Sequence, residues 1–98
     1  MMRKHAWTYE ENVYCCKRYI EQYVIESSNL RVTEFSRLLE KEMQTVPAQS
    51  IKMKLQNIKQ ILMELGVRDS LEAAPLEKYS AVNKVAMLEV LADFGIEF

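Results

Sequence analysis

Glycine and proline are scarce in this chain, two of each in 98 residues, and the scarcity excludes several kinds of protein. Two glycines cannot build the Gly-rich loop that cradles phosphates, where several backbone positions must be free of Cβ. With 49% apolar and 28% charged residues, the low Gly and Pro content describes an ordered, mostly helical chain rather than a disordered or fibrous one. Histidine occurs once, as His5, and the two cysteines, Cys15 and Cys16, are adjacent. Too few ligands are present for a zinc site, and neighbouring side chains on a helix diverge by about 100°, so no structural disulfide joins the two thiols. No metal and no cofactor are expected. Nor can paired acids around an apolar pocket or a Ser/His/Asp set be assembled, and enzyme function is not expected. No apolar run approaches the ~18 residues of a membrane span, and MMRKHAWTYEEN lacks the apolar stretch of a secretory signal, so a cytoplasmic protein without a membrane partner is expected.

Charge is unevenly spread over the two halves. Residues 1–63 hold ten Lys and Arg against seven Asp and Glu, whereas residues 64–98 hold three against seven. An excess of cations in the first part raises the question of a polyanionic partner.

No repeat and no useful period-two alternation is present, and the apolar pattern is helical throughout. Thr8 and Glu11 form a capping box behind Trp7, opening a helix with Val13, Cys16, Ile20, Tyr23 and Val24 on one stripe and Cys15 pointing outward. That helix ends near Ser27-Ser28-Asn29. Thr33 caps a second helix, with Phe35, Leu38, Leu39 and Met43 inward and Arg37, Glu40 and Lys41 outward. Pro47 opens a third, in which Ile51, Leu55, Ile58, Leu62 and Leu65 form the buried stripe and Gly66 is the stop. A looser stretch from Arg68 to Lys78 leads to a last helix from Ser80 to Phe94. The fold class is all-α.

The third helix carries the functional signal. No acid occurs between Glu42 and Glu64, although a solvated helix usually mixes signs to gain i,i+4 pairs. Opposite the buried stripe lie Gln49, Met53, Gln56, Asn57 and Gln60, flanked by Lys52, Lys54 and Lys59. Amide side chains can pair with adenine edges in the major groove, and lysines at the rim can meet the phosphates. The preceding helix supplies the brace of a helix-turn-helix.

Two stretches carry a resemblance. Trp7-Thr8-Tyr9-Glu10-Glu11 resembles the W-T-x-E-E opening of Myb/SANT-type three-helix DNA-binding domains, and Ser50 to Ile58 resembles their third helix. The pair is similar, more closely, to the helical N-terminal domain of some bacterial HNH-type endonucleases and restriction-related proteins. There the opening is followed by a proline and S-[IV]-x-x-K-L-x-N; Pro47, Ser50, Ile51, Lys54, Leu55 and Asn57 hold those positions here. The likeness runs from about Trp7 to Leu62. It implies a Myb-like helix-turn-helix core over residues 7–65, with DNA contact by Gln49, Ser50, Lys52, Met53, Lys54, Gln56, Asn57, Lys59 and Gln60. Trp7 stands alone where Myb repeats carry further core tryptophans, with Leu55 in one such place. An HNH centre needs at least two histidines, so the chain is not itself a nuclease.

Three expectations complete the reading. Residues 1–6 form a flexible basic arm in which Arg3 and Lys4 can reach DNA. Residues 66–98 form an acidic, apolar helical tail that packs on the core or at a dimer interface built from Val85, Leu88, Leu91 and Phe94. The expected function is a small duplex-DNA-binding protein, a regulator or a detached module of a phage or mobile-element system. The alternative is a protein-interaction module, such as an inhibitor or accessory subunit of a nucleic-acid enzyme.

Overall fold

The computed structural model describes residues 5–98, and its ordered elements are all helical: α1 (Tyr9–Tyr19), α2 (Val32–Met43), α3 (Ala48–Leu65) and α4 (Ala81–Asp93). Arg3 and Lys4 lie outside the described residues. The expected capping box is present, with the Thr8 hydroxyl accepting from the Glu11 N–H at 3.1 Å and the Glu11 carboxylate accepting from the Thr8 N–H at 2.9 Å. Past Tyr19 the helix continues over Ile20–Ile25 as a wider π-helical stretch, in which the Glu26 N–H reaches back five residues to the Glu21 carbonyl.

Helix α1 is the centre of the molecule. It packs against α4 on one side and against α3 on another, while α2 and α3 pack on each other. Being flanked twice, α1 buries more than the single stripe that its sequence suggests. Cys15, expected on the outside, is fully buried, with its thiol 3.7 Å from the Met43 sulfur at the end of α2. Cys16 faces the other way, 3.9 Å from Asn83 Oδ1 on α4. Burial raises both thiol pKa values, that of Cys16 to about 12, so neither is a reactive thiolate. Asn12 Oδ1 on α1 and Asn83 Nδ2 on α4 are buried without partners among the described residues, one an acceptor and the other a donor.

An aromatic chain ties α1 to α2. Tyr19 and Tyr23 have ring centroids 5.2 Å apart, and Tyr23 meets Phe35 edge-on at 5.2 Å. The Arg18 guanidinium lies over the Phe35 ring and grips Glu42 through Nε at 2.9 Å and a terminal nitrogen at 3.0 Å. Tyr14 donates to the same carboxylate at 2.5 Å. Tyr14, Tyr19 and Arg18 are thus engaged with partners of the same chain.

Helix α2 departs from expectation in two ways. It starts one residue ahead of Thr33, at Val32, with Arg31 at the cap and no side-chain acceptor there. Leu38, expected inward, is 41% exposed, because the buried side of α2 is held by Phe35, Ser36 and Leu39. The chain then turns through Gln44 in the left-handed conformation (φ 61°), and Pro47 caps α3. In α3 the expected stripe holds, with Ile51, Leu55, Ile58 and Leu62 fully buried and Leu65 partly so.

Gly66 turns the chain back on itself. At φ 76° it closes α3 with a Schellman turn, the Val67 N–H donating to the Leu62 carbonyl at 2.9 Å. From there the backbone runs along α3 as an extended strap over residues 67–80. Ser80 then caps α4 through the Asn83 N–H. Ala86, Met87, Val90 and Leu91 of α4 enter the same core as α1 and α3. The tail therefore packs on its own chain. Leu91, expected at a dimer interface, is fully buried, and Leu88 and Phe94 are partly buried; of the four residues assigned to that interface only Val85 is exposed.

Candidate functional site

The strap changes the character of α3. Its anchor is Asp69, whose Oδ1 accepts from the Tyr19 hydroxyl at 2.8 Å, Lys59 Nζ at 3.1 Å and the Leu71 N–H at 3.0 Å. Ser70 adds bonds to the backbone carbonyls of Tyr23 and Ser28. Lys59 Nζ also donates to the Leu71 carbonyl at 2.7 Å, and Leu71 itself is buried. Farther along, Gln56 donates its amide to the Ala74 carbonyl at 3.1 Å, while its backbone carbonyl takes the Leu76 N–H. The Asn57 side-chain amide faces the carbonyls of Lys78 and Leu76 at 2.9 and 3.0 Å and donates to both once its nitrogen is assigned to that side, the assignment that hydrogen-bonding complementarity requires. Tyr79 reaches back to the Glu64 carboxylate.

Three side chains read from the sequence as DNA contacts, Gln56, Asn57 and Lys59, are thereby committed to the chain's own backbone and carboxylate. Gln60 bonds Glu64 one turn away. Lys54 is largely withdrawn, at 6% exposure, with its ammonium 4.7 Å from the centroid of the Trp7 ring. Burial lowers its pKa, and the nearby thiols of Cys16 and Cys15 only partly oppose that shift. No carboxylate pairs with it: the ion pairs of the described residues go to Arg18, Lys59 and His5, and the first four residues contain no acid. A cation–π contact is worth about 0.5–2 kcal/mol. Taking an ion out of water costs several kcal/mol, so the indole alone does not offset the burial.

The residues before Trp7 are expected from sequence to form a loose arm, yet His5 is placed. Its Nε2 lies 2.9 Å from Glu11 Oε1, and its ring meets Trp7 edge-on at 5.3 Å. Glu11 also accepts from the Thr45 hydroxyl at 2.7 Å, which joins the start of α1 to the turn ahead of α3.

Of the α3 residues read as DNA contacts, those that stay open lie in its first half. Gln49, Lys52 and Met53 are exposed and Ser50 is partly so, with Met53 at 45%. Two concavities meet at Met53. One is a polar groove between α2 and α3, lined by Thr33, Ser36, Arg37, Gln49, Lys52 and Gln56 among others, with no carboxylate in its wall. Neither Arg37 nor Lys52 has an ion-pair partner among the described residues. The other is a cleft of about 840 Å³ between α3, the start of α1 and the strap, where Ser50, Lys54, Trp7, Tyr79 and Val82 lie. Sequence reasoning misses Arg37 and the strap. It places Arg37 outward without assigning it to the site, and the strap has no periodicity that could announce it. No group of His, Cys, Asp and Glu suited to a metal occurs among the described residues, and no described helix is long and apolar enough to cross a membrane. Compared with protein-family models, with curated proteins and with solved structures, the chain matches none.

Proposed function

We propose that this is a small DNA-binding protein that meets the duplex with the uncovered first half of α3 and the adjoining edge of α2. The observation that carries the reading is the acid-free groove with two unpaired cations, Arg37 and Lys52, on its two helices. In a chain of net charge −1 such a wall is a local cationic surface suited to phosphate. Gln49 and Met53 lie one turn apart on α3, where an amide can read an adenine edge and a thioether can touch a thymine methyl. Helix-turn-helix proteins read bases with the early residues of the second helix, and those are the residues the strap leaves open. Glu40 accepts from the Ala48 N–H at 2.8 Å and so fills the α3 N-terminus with a carboxylate. Phosphate contacts therefore fall to side chains and not to the helix terminus.

A gel-shift titration with random duplex at low salt tests this reading. Changing Arg37 and Lys52 together to Gln removes two phosphate contacts and should flatten the slope of log K against log salt by about 1.8, at about 0.9 for each contact. Gln49→Ala should leave that slope in place and erode preference between sites by about 1–3 kcal/mol. Absence of any complex at ~50 mM salt, where nonspecific phosphate binders still hold, removes the proposal. The second reading, a protein-interaction module, is favoured by one feature: Met53 is a large apolar side chain exposed where the two concavities meet.

A further inference from the structure

The cleft beside the proposed DNA surface has a chemistry of its own. Lys54 and the Trp7 ring above it both line the cleft, and Lys54 is a buried cation that no carboxylate of the chain pairs with. Ser50 precedes Lys54 by one helical turn and lines the same wall, and its hydroxyl makes no hydrogen bond among the described residues. An ammonium and a hydroxyl on one face of a helix are two donors without an acceptor. Around them Trp7, Met53, Leu76 and Val82 supply an apolar part of the wall. We infer that this cleft binds a small organic carboxylate, its head group held by Lys54 Nζ and Ser50 Oγ and its flat apolar body lying against Trp7 and Met53.

The charge of the site selects a monoanion. Glu77 and Lys78, both exposed, line the cleft with opposite charges, His5 is engaged with Glu11, and Lys54 is the single buried cation, so the lining carries one net positive charge. A phosphate dianion would exceed that single net charge; a carboxylate matches it one to one and gains a charge-assisted hydrogen bond from the Lys54 ammonium. The apolar wall rewards a ring or short hydrocarbon body and gives nothing to a bare ion. The inference does not rest on DNA binding, since neither Arg37 nor Lys52 lines the cleft.

Trp7 is the sole tryptophan of the chain and reports directly on the site. Titration of the full chain with phenylacetate should change its emission saturably. Phenylacetamide, of nearly the same shape without the charge, should bind about tenfold more weakly or worse, and acetate, which keeps the charge and lacks the body, should also bind more weakly. Lys54→Met keeps the length of the side chain in an apolar site. Because it alters the surroundings of Trp7, its binding is followed by ligand-observed NMR, with far-UV circular dichroism confirming the fold. Lys54→Met should abolish phenylacetate binding, Ser50→Ala should weaken it, and the Arg37/Lys52 double Gln variant should leave it unchanged. Equal binding of phenylacetamide, retention of phenylacetate by Lys54→Met, or no saturable response in the wild type up to about 10 mM, tenfold above the millimolar range of weak binding, would each overturn the assignment.

Discussion

Lys59 Nζ lies 3.1 Å from Asp69 Oδ1, in an ion pair whose carboxylate side chain is only 3% exposed. A cation that the sequence offers to phosphate is held instead by an acid ten residues downstream. The same oxygen takes the Tyr19 hydroxyl and the Leu71 N–H, so one carboxylate joins α1, α3 and the strap.

Removing that carboxylate should loosen all three at once. Asp69→Ala leaves a largely buried lysine without its counter-ion and is expected to cost about 3–5 kcal/mol, the usual penalty for breaking a buried pair. Lys59→Met should cost less, because Asp69 keeps two of its donors. Urea denaturation of both variants and of the double variant measures the coupling. A wild-type midpoint for Asp69→Ala would show that the strap is held by something else.

Acid should weaken the start of α1. Burial disfavours the Glu11 carboxylate, but hydrogen bonds from the Thr8 N–H, His5 and the Thr45 hydroxyl outweigh it and lower its pKa from 4.5 to about 2. A folded-state pKa below the unfolded one means that the stabilisation is fully present above pH 4.5 and is lost as pH falls toward about 2. Glu11→Gln should therefore narrow its deficit relative to the wild type across that window, read from thermal midpoints at a series of pH values. A deficit unchanged from pH 5 to about 2 would remove the assignment.

Lys54→Met should stabilise the protein. Burial lowers the lysine pKa, so its charged form opposes folding and the opposition disappears on deprotonation. At neutral pH the variant should gain about 1–2 kcal/mol, the scale on which packed apolar replacements of buried ionic groups stabilise. Its advantage should shrink as pH rises toward 10.5, the ordinary lysine value, since the wild type then sheds the unfavourable proton. Chemical denaturation of both proteins at pH 7 and near pH 10 gives the two differences to compare. An advantage that grows with pH would contradict the sign.

In solution the chain should be a monomer. The case for dimerisation from sequence is an excess of apolar residues on the last helix, and Met87, Val90 and Leu91 of that set are consumed by the chain's own core. Leu88 and Phe94 are partly buried, and only Val82 and Val85, three residues apart, are as much as about half exposed. Two valines provide far less than the roughly 800 Å² that a partner normally contributes to a stable interface. Sedimentation equilibrium at high micromolar concentration should give the 11.5 kDa of one chain, and a mass of twice that would return the interface to α4.

Helix positions are legible in the sequence because they depend on local chemistry. The capping box at Thr8 and Glu11, the α3 stripe from Ile51 to Leu62 and the stop at Gly66 each involve residues within one or two turns of each other. Period and cap are properties of neighbours in the chain. Leu38 and Cys15 are misplaced by pattern for the opposite reason. Which side of an apolar helix is covered depends on how many neighbours it has in space, and α1 has them on more than one side.

Period, caps and composition suffice for an all-helical chain, for the limits of its helices within a few residues, and for an acid-free third helix whose apolar side is buried. What becomes of the opposite side of that helix depends on packing between distant parts of the chain. Gly66 could be read as a stop, but the direction in which it sends the chain depends on contacts that exist only after folding: Asp69 with Tyr19 and Lys59, and the carbonyls of Ala74, Leu76 and Lys78 with Gln56 and Asn57. The strap has no period; part of its bonding uses backbone groups that every residue carries, and the side chains of Asp69, Ser70 and Tyr79 bond residues distant in the chain, so neither leaves a local pattern to read. The same packing that spends Gln56, Asn57 and Lys59 leaves Gln49, Lys52 and Met53 open and encloses Lys54 beneath Trp7.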